Sequence, residues 1–161
     1  MRYEYETWQP AVAIRLHRPS VERPHSVLVF PIYRGSIVWV KHPVRGWEVP
    51  GGKCEPAESP EMAAVREVWE ESGALMEKLT WLAEYQIPQI DDSFLFKWVY
   101  WGFVEKWVDR PSDSETIGVQ LGALPNPSQL QERVDISPIL KDDVYLSLYS
   151  ILRKHVAASL Q

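Results

Sequence analysis

The stretch GGKCEPAESPEMAAVREVWEESGAL, residues 51–75, carries six glutamates, one arginine and three glycines. A helix face that meets only water gains nothing from so much charge of one sign, since like charges three or four residues apart cost roughly a few tenths of a kcal/mol per pair. The local punctuation is clear. Ser59 stands where an N-cap belongs, Pro60 takes the first helical position and Gly73 ends the run, which predicts a helix over 60–72. Projected at about 100° per residue, Glu67, Glu70 and Glu71 share an arc of roughly 100°. Met62, Val65, Val68 and Trp69 fall on the opposite side, the face expected to enter the core.

Three carboxylates on one rigid helix face make an oxygen-rich site suited to a hard divalent cation, Mg²⁺ or Mn²⁺. Arg66 lies four residues before Glu70 and can orient it, and Glu58 sits just ahead of the cap. The Gly51-Gly52 pair allows close backbone approach, so that a carbonyl can join the metal ligands and amides can meet phosphate.

Upstream of the acids, PVRGWEVPGGK (43–53) reads as an irregular loop rich in Pro and Gly. SVLVFPIY (26–33) and SIVWVKH (36–42) flank Arg34-Gly35 as a hairpin. YEYETW (3–8) and AVAIRLH (11–17) read as short strands, and RPSVERPHS (18–26) as a proline-broken connection. Downstream, KLTWLAEYQI (78–87) and FLFKWVYWGFVEKW (94–107) read as strands, the second apolar enough to be covered on both faces. A polar loop, DRPSDSE (109–115), leads to a short strand, TIGVQLGAL (116–124). Ser137-Pro138 then repeats the cap-and-proline signal before ILKDDVYLSLYSILRKHVA, where Leu140, Val144, Leu148 and Ile151 recur at helical spacing. Strands interleaved with two helices give an α/β class, a mixed sheet covered by helices.

The totals fit an enzyme of one domain. The chain has 161 residues, 45% of them hydrophobic and 24% charged, with eight tryptophans. A net charge of −5 argues against a sequence-independent nucleic-acid binder, and no stable nucleic-acid complex is expected. A metal ion can still bring an anionic substrate to an acidic protein. Cys54 is the sole cysteine, the start MRYEYETWQP lacks a signal-peptide pattern, and no long apolar run could span a membrane. A cytoplasmic location is expected.

Gly52, Glu58, Arg66-Glu67, Glu70-Glu71 and Gly73 match each fixed position of the Nudix signature, a box spanning 52–74. At around one in fifteen per residue, seven such matches arise by chance on the order of once in 10⁸ placements. Val68 fills the first aliphatic slot, while Ala74 in the last is smaller than the usual Ile, Leu or Val. The chain therefore resembles the Nudix hydrolases. GWEVPGGK is similar to the loop leading into the box of MutT-type nucleoside triphosphate pyrophosphatases. YEYETWQ, CEPAES, SETIG and ILKDDVYLSL are similar to the MutT/YtkD branch.

The resemblance implies a Nudix α/β/α sandwich with a mixed sheet between helices, covering residues 1–161. It implies that the Gly51 carbonyl, Glu67, Glu70 and Glu71 bind Mg²⁺ or Mn²⁺, with Glu58 and Arg66 bracing them. Glu48, Val49, Pro50 and Gly52 then border the nucleotide. Lys41, His42 and Arg45 are the nearest candidates for phosphate, and Trp47 for stacking on a base. Glu115, beside the strand that follows the polar loop, is the candidate general base or additional metal ligand. The implied reaction cleaves nucleoside triphosphates, 8-oxo-(d)GTP types first, to monophosphate and pyrophosphate, a form of nucleotide-pool sanitation. Three alternatives stand beside it: ADP-ribose hydrolysis, for which Pro88 is a pointer, RNA 5′-end pyrophosphohydrolysis, and a non-catalytic binding module, against which the intact box speaks.

Overall fold

The computed structural model describes residues 11–160; the expected strand at 3–8 lies outside them. Nine strands form one sheet: β1 (Val12–Arg15), β2 (Ser26–Tyr33), β3 (Ser36–His42), β4 (Gly46–Glu48), β5 (Gly51–Lys53), β6 (Ala74–Met76), β7 (Thr80–Pro88), β8 (Phe94–Trp107) and β9 (Gly118–Gly122). Helix α1 (Pro60–Ser72) lies between β5 and β6, and α2 (Asp143–Ala158) ends the chain. The main path of the sheet runs β1-β7-β8-β2-β3-β4, with β5 paired to β2, β6 to β8 and β9 to β3. β2 and β8 run parallel, Val27 opposite Trp98, and the other strand pairs are antiparallel. The sheet is therefore mixed, as expected.

Both faces are covered because β2 alternates two apolar sets. Val27 and Val29 face Ala63, Ala64 and Val68 of α1 together with Val38 and Tyr100. Leu28, Phe30 and Ile32 face Val144, Tyr145, Leu148 and Leu152 of α2. The β2–β3 hairpin turns at Arg34 (φ 47°) and Gly35 (φ 84°), two consecutive left-handed residues that match the twist of the flanking strands. Helix α1 has the expected ends: Ser59 Oγ accepts from the Met62 amide at 3.1 Å, and Gly73 (φ 82°) donates to the Trp69 carbonyl.

Several expectations need correction. Met62 is exposed; the core face of α1 is made by Ala63, Ala64 and Val68, whose small side chains let the helix settle close to the sheet. The stretch 43–53 is not wholly irregular, since it contributes β4 to β3 and β5 to β2. Ala74 begins β6, fully buried, and its cross-strand partner Trp107 packs against the same cluster. Ser137-Pro138 opens only one 3-10 turn, 138–140; α2 starts later, where Asp142 Oδ1 accepts from the Val144 amide at 3.0 Å. β8 is buried on both faces only in its middle, Trp98–Tyr100, and Phe94, Phe103, Glu105 and Lys106 are exposed.

The connection 16–25 crosses the sheet end as a strap, fastened by a charge in the interior. Glu84 of β7 is fully buried and accepts from the Ser20 amide (3.0 Å), the Ser20 hydroxyl (2.5 Å), the Val21 amide (3.3 Å) and Trp98 Nε1 (3.0 Å). Burial pushes its carboxyl up, but the bonds from Ser20, Trp98 and Val21 outweigh burial and hold it below the usual carboxylate range. A depressed folded-state value means that this stabilisation is present at neutral pH and disappears as the pH falls through that value. Glu84→Ala should cost about 3 kcal/mol, by the worth of several hydrogen bonds to one buried charge, and lower Tm by roughly 6–12 °C. Thermal melts at neutral pH check this. The gap between wild type and variant should shrink in acid, below about pH 4.

Candidate active site

The acids of α1 stand over β5, and one guanidinium organises them. Arg66 is bidentate to Glu58, with Nε to Oε2 at 2.8 Å and Nη2 to Oε1 at 2.7 Å. Its Nη1 reaches Glu67 at 2.8 Å and Glu70 at 3.2 Å, and Nη2 also donates to the Lys53 carbonyl at 3.0 Å. The i,i+4 relation read from the sequence thus becomes a real contact. Glu58 is held well inside the loop before α1, and the hydrogen bond from Arg66 keeps its carboxyl below the ordinary range.

Glu71, and Glu67 while bonded to Arg66, also stand against the glycines. The Gly51 amide donates to Glu71 Oε1 at 3.2 Å. A Cβ on Gly52 would stand 2.5 Å from the Glu67 carboxylate, so no other residue fits without moving it. Glu67 and Glu71 are i,i+4 neighbours on α1, close enough that the charge of Glu67 acts on the Glu71 carboxyl. Burial, then the charges of Glu67 and Glu48, push the Glu71 carboxyl well up, and burial also raises Glu67. Two crowded, half-buried carboxyls are a site that a cation would suit, because its charge could offset the burial and relieve the repulsion. The donor set therefore fits a hard divalent ion. The sequence expectation needs one refinement: among the described residues no three acids converge as a ready-made metal cage. Glu70 is the most open of the three, its side chain 39% exposed, and it leans on Arg66.

The β3–β4 hairpin brings the remaining candidates to the same end of the sheet. Lys41 pairs with Trp47 across the strands, its Nζ 5.8 Å from the ring centre, and His42 pairs with Gly46. The Nδ1 of His42 accepts from the Val44 and Arg45 amides at 3.1 and 3.0 Å, so this histidine shapes the turn. Trp47 packs against the α2-side core, and its backbone is fastened to Asp135 and Ser137. Glu48 is buried and receives both prongs of Arg45 at 3.0 Å. Val49 is a core residue, and the Pro50 carbonyl accepts from the Val29 amide at 2.9 Å.

Sequence reasoning missed two features. Arg45, a candidate for phosphate, is the counter-ion of Glu48; its i,i+3 spacing across Gly46 was the available signal. The loop after β8 is tied to the end of α1: Thr116 Oγ1 donates to the Glu71 carbonyl at 2.7 Å, Arg110 holds the Thr116 carbonyl at 2.9 Å, and the Ile117 amide reaches the Lys41 carbonyl at 2.9 Å. Glu115 is exposed on this fastened loop, one residue from the bond to Glu71.

Comparison with known proteins agrees with this geometry. The NUDIX domain family model matches residues 22–133. A Bacillus subtilis (strain 168) protein with the provisional name 8-oxo-dGTP diphosphatase YtkD is 35% identical over 128 residues, 79% of each chain. The Escherichia coli (strain K12) 8-oxo-dGTP diphosphatase is 40% identical over 80 residues, covering 46% of this chain and 55% of that protein. Among solved structures, a mutant of the Bacillus subtilis pyrophosphohydrolase BsRppH superposes with a TM-score of 0.78 at 32% identity, covering 88% of this chain and 90% of that one. A NUDIX hydrolase from Nitrosomonas europaea shares the fold at a TM-score of 0.60 and 18% identity, over 84% and 90% of the two chains. Members of this family generally use divalent metal ions, the chemistry that the paired carboxyls suit. The chain belongs to the NUDIX family and is a hydrolase of phosphoric anhydride bonds.

Proposed function

We propose that this hydrolase cleaves nucleoside triphosphates, 8-oxo-guanine forms first, to nucleoside monophosphate and pyrophosphate. The observation that carries the reading is the acid pair Glu67 and Glu71 set against the backbone of Gly51 and Gly52. The 8-oxo-dGTP diphosphatase names of relatives at 35% and 40% identity support the substrate class. Glu67, Glu70, Glu71 and the Gly51 carbonyl would hold Mg²⁺ or Mn²⁺, which neutralises phosphate oxygens and lowers the pKa of bound water. Glu58 and Arg66 hold the ligands in place. The β3–β4 hairpin, with Lys41, His42, Trp47 and Glu48, borders the nucleotide. Glu115 takes the proton from the attacking water or serves as an additional ligand, because the box glutamates are committed to the cation.

The metal assignment carries its own pH dependence. A carboxyl whose folded-state value is raised favours the folded protein at low pH, and that advantage is lost as pH rises through the raised value. A cation binds the ionised carboxylates, whose folded-state values are raised, so binding strengthens with pH. The gain in Tm on adding Mg²⁺ should widen as the pH rises above the ordinary carboxylate range, and EDTA should abolish turnover. Glu71→Gln should lower kcat at least about 10²-fold with the fold intact. Turnover in EDTA equal to that in Mg²⁺ would defeat the assignment.

Substrate choice is tested by a panel of nucleotides with Mg²⁺ and Mn²⁺, resolving monophosphate, pyrophosphate and phosphate. Guanine triphosphates and their 8-oxo forms should show the highest kcat/KM. The second reading, attack on an RNA 5′-triphosphate end, draws on the shape match to the BsRppH pyrophosphohydrolase. It prevails if a 5′-triphosphorylated RNA outcompetes every free triphosphate. ADP-ribose as the best substrate would overturn both.

For the base, Glu115→Gln should lower kcat far more than it raises KM, while Asp113→Asn on the same loop should change little. Steady-state kinetics of the two variants decide it; wild-type kinetics for Glu115→Gln would return the proton to a box glutamate.

A further inference from the structure

The buried carboxylate of Glu84 takes no part in the proposed reaction, yet it fixes the strap at Ser20 and Val21. Two residues further along, the Arg23 side chain crosses to the loop before α1. Its Nη1 donates to the Glu58 carbonyl at 2.6 Å and its Nη2 to the Glu55 carbonyl at 2.5 Å. The loop closes on itself between those carbonyls: the Glu58 amide donates to the Glu55 carbonyl at 3.1 Å, and the Glu55 amide to Glu58 Oε1 at 2.9 Å. At its start, the Cys54 amide donates to the His25 carbonyl at 3.0 Å. Arg23 therefore pins the far end of a short loop whose near end is already tied to the strap.

We propose that Arg23 is a positioning residue, clamping the Glu55 and Glu58 carbonyls so that Glu58 presents its carboxylate squarely to Arg66. The inference rests on the reading that Glu58 and Arg66 brace the catalytic acids. The Glu58–Arg66 contact is bidentate, so tilting one plane tilts the other. Nη1 of Arg66 is shared between Glu67 and Glu70, and a tilted guanidinium misplaces both. Small misplacements of groups that hold reacting parts lower the rate more than the affinity. A planar fork with two separated donors suits two carbonyls three residues apart; a lysine offers one compact charge and cannot hold both.

The test is a double-mutant cycle in kcat between Arg23 and Glu58, run on the full chain with Mg²⁺. Arg23→Ala should lower kcat about tenfold, leave KM within about twofold and reduce Tm by only a few degrees. Arg23→Lys should recover part of the loss. In the Glu58→Gln background, Arg23→Ala should add little further loss, since both act on Arg66. Glu22→Ala, on the exposed neighbour in the same strap, should be silent. An impaired Glu58→Gln beside a wild-type Arg23→Ala, or losses that simply multiply, overturns the role of Arg23 alone. A Glu58→Gln variant with unchanged kcat removes the brace itself, and the inference with it.

Discussion

Arg66 makes five hydrogen bonds, reaching three carboxylates and one main-chain carbonyl. Without a cation at that point, Glu58 of the preceding loop and Glu67 and Glu70 of α1 would repel one another at the edge of a low-dielectric interior. A guanidinium serves here because its planar fork presents donors in several directions at once and its charge is permanent. The guanidinium does not reach Glu71, whose carboxyl is pushed well up by burial and then by the charges of Glu67 and Glu48. The protein's own cation thus reaches Glu58, Glu67 and Glu70, while Glu71 is met by the amide of Gly51.

The sequence made α1 and the box legible because their signals are local. A cap, a proline and a left-handed glycine fix both helix ends within a turn of each residue, and the acids follow from helical geometry alone. The hairpin at Arg34-Gly35 was legible for the same reason. β4, β5 and β6 were not. Each has three residues, too few to show alternation, and exists because a longer neighbour offers free backbone groups. The start of α2 was misplaced because two cap signals occur five residues apart, at Ser137 and Asp142, and tertiary packing decides between them. Met62 was misjudged because the projection identified a face but not how closely it approaches the sheet.

Around the site, the residue types were legible and the partnerships were not. Glu48 and Arg45 were both noticed, but their pairing depends on the turn at Gly46, whose φ of 96° brings the chain back on itself. Arg23 and Thr116 carried no sequence signal, since each acts on a main-chain carbonyl, and every residue has one of those. Contacts of this kind emerge only from three-dimensional proximity.

The parallel pairing of β2 with β8 sets an order of assembly. Ser26 meets Lys97 across the sheet, and the whole acidic box lies on the connection between them. A parallel neighbour requires such a crossover, and closing it costs chain entropy before any strand contact repays it. During synthesis, α1 therefore emerges with its glutamates well before β8 can complete the floor beneath it. The sheet beneath the site is complete only after this long-range closure. Residue changes that slow that closure would prolong the time in which an acidic, incompletely covered helix and the open edge of β2 are exposed to other chains.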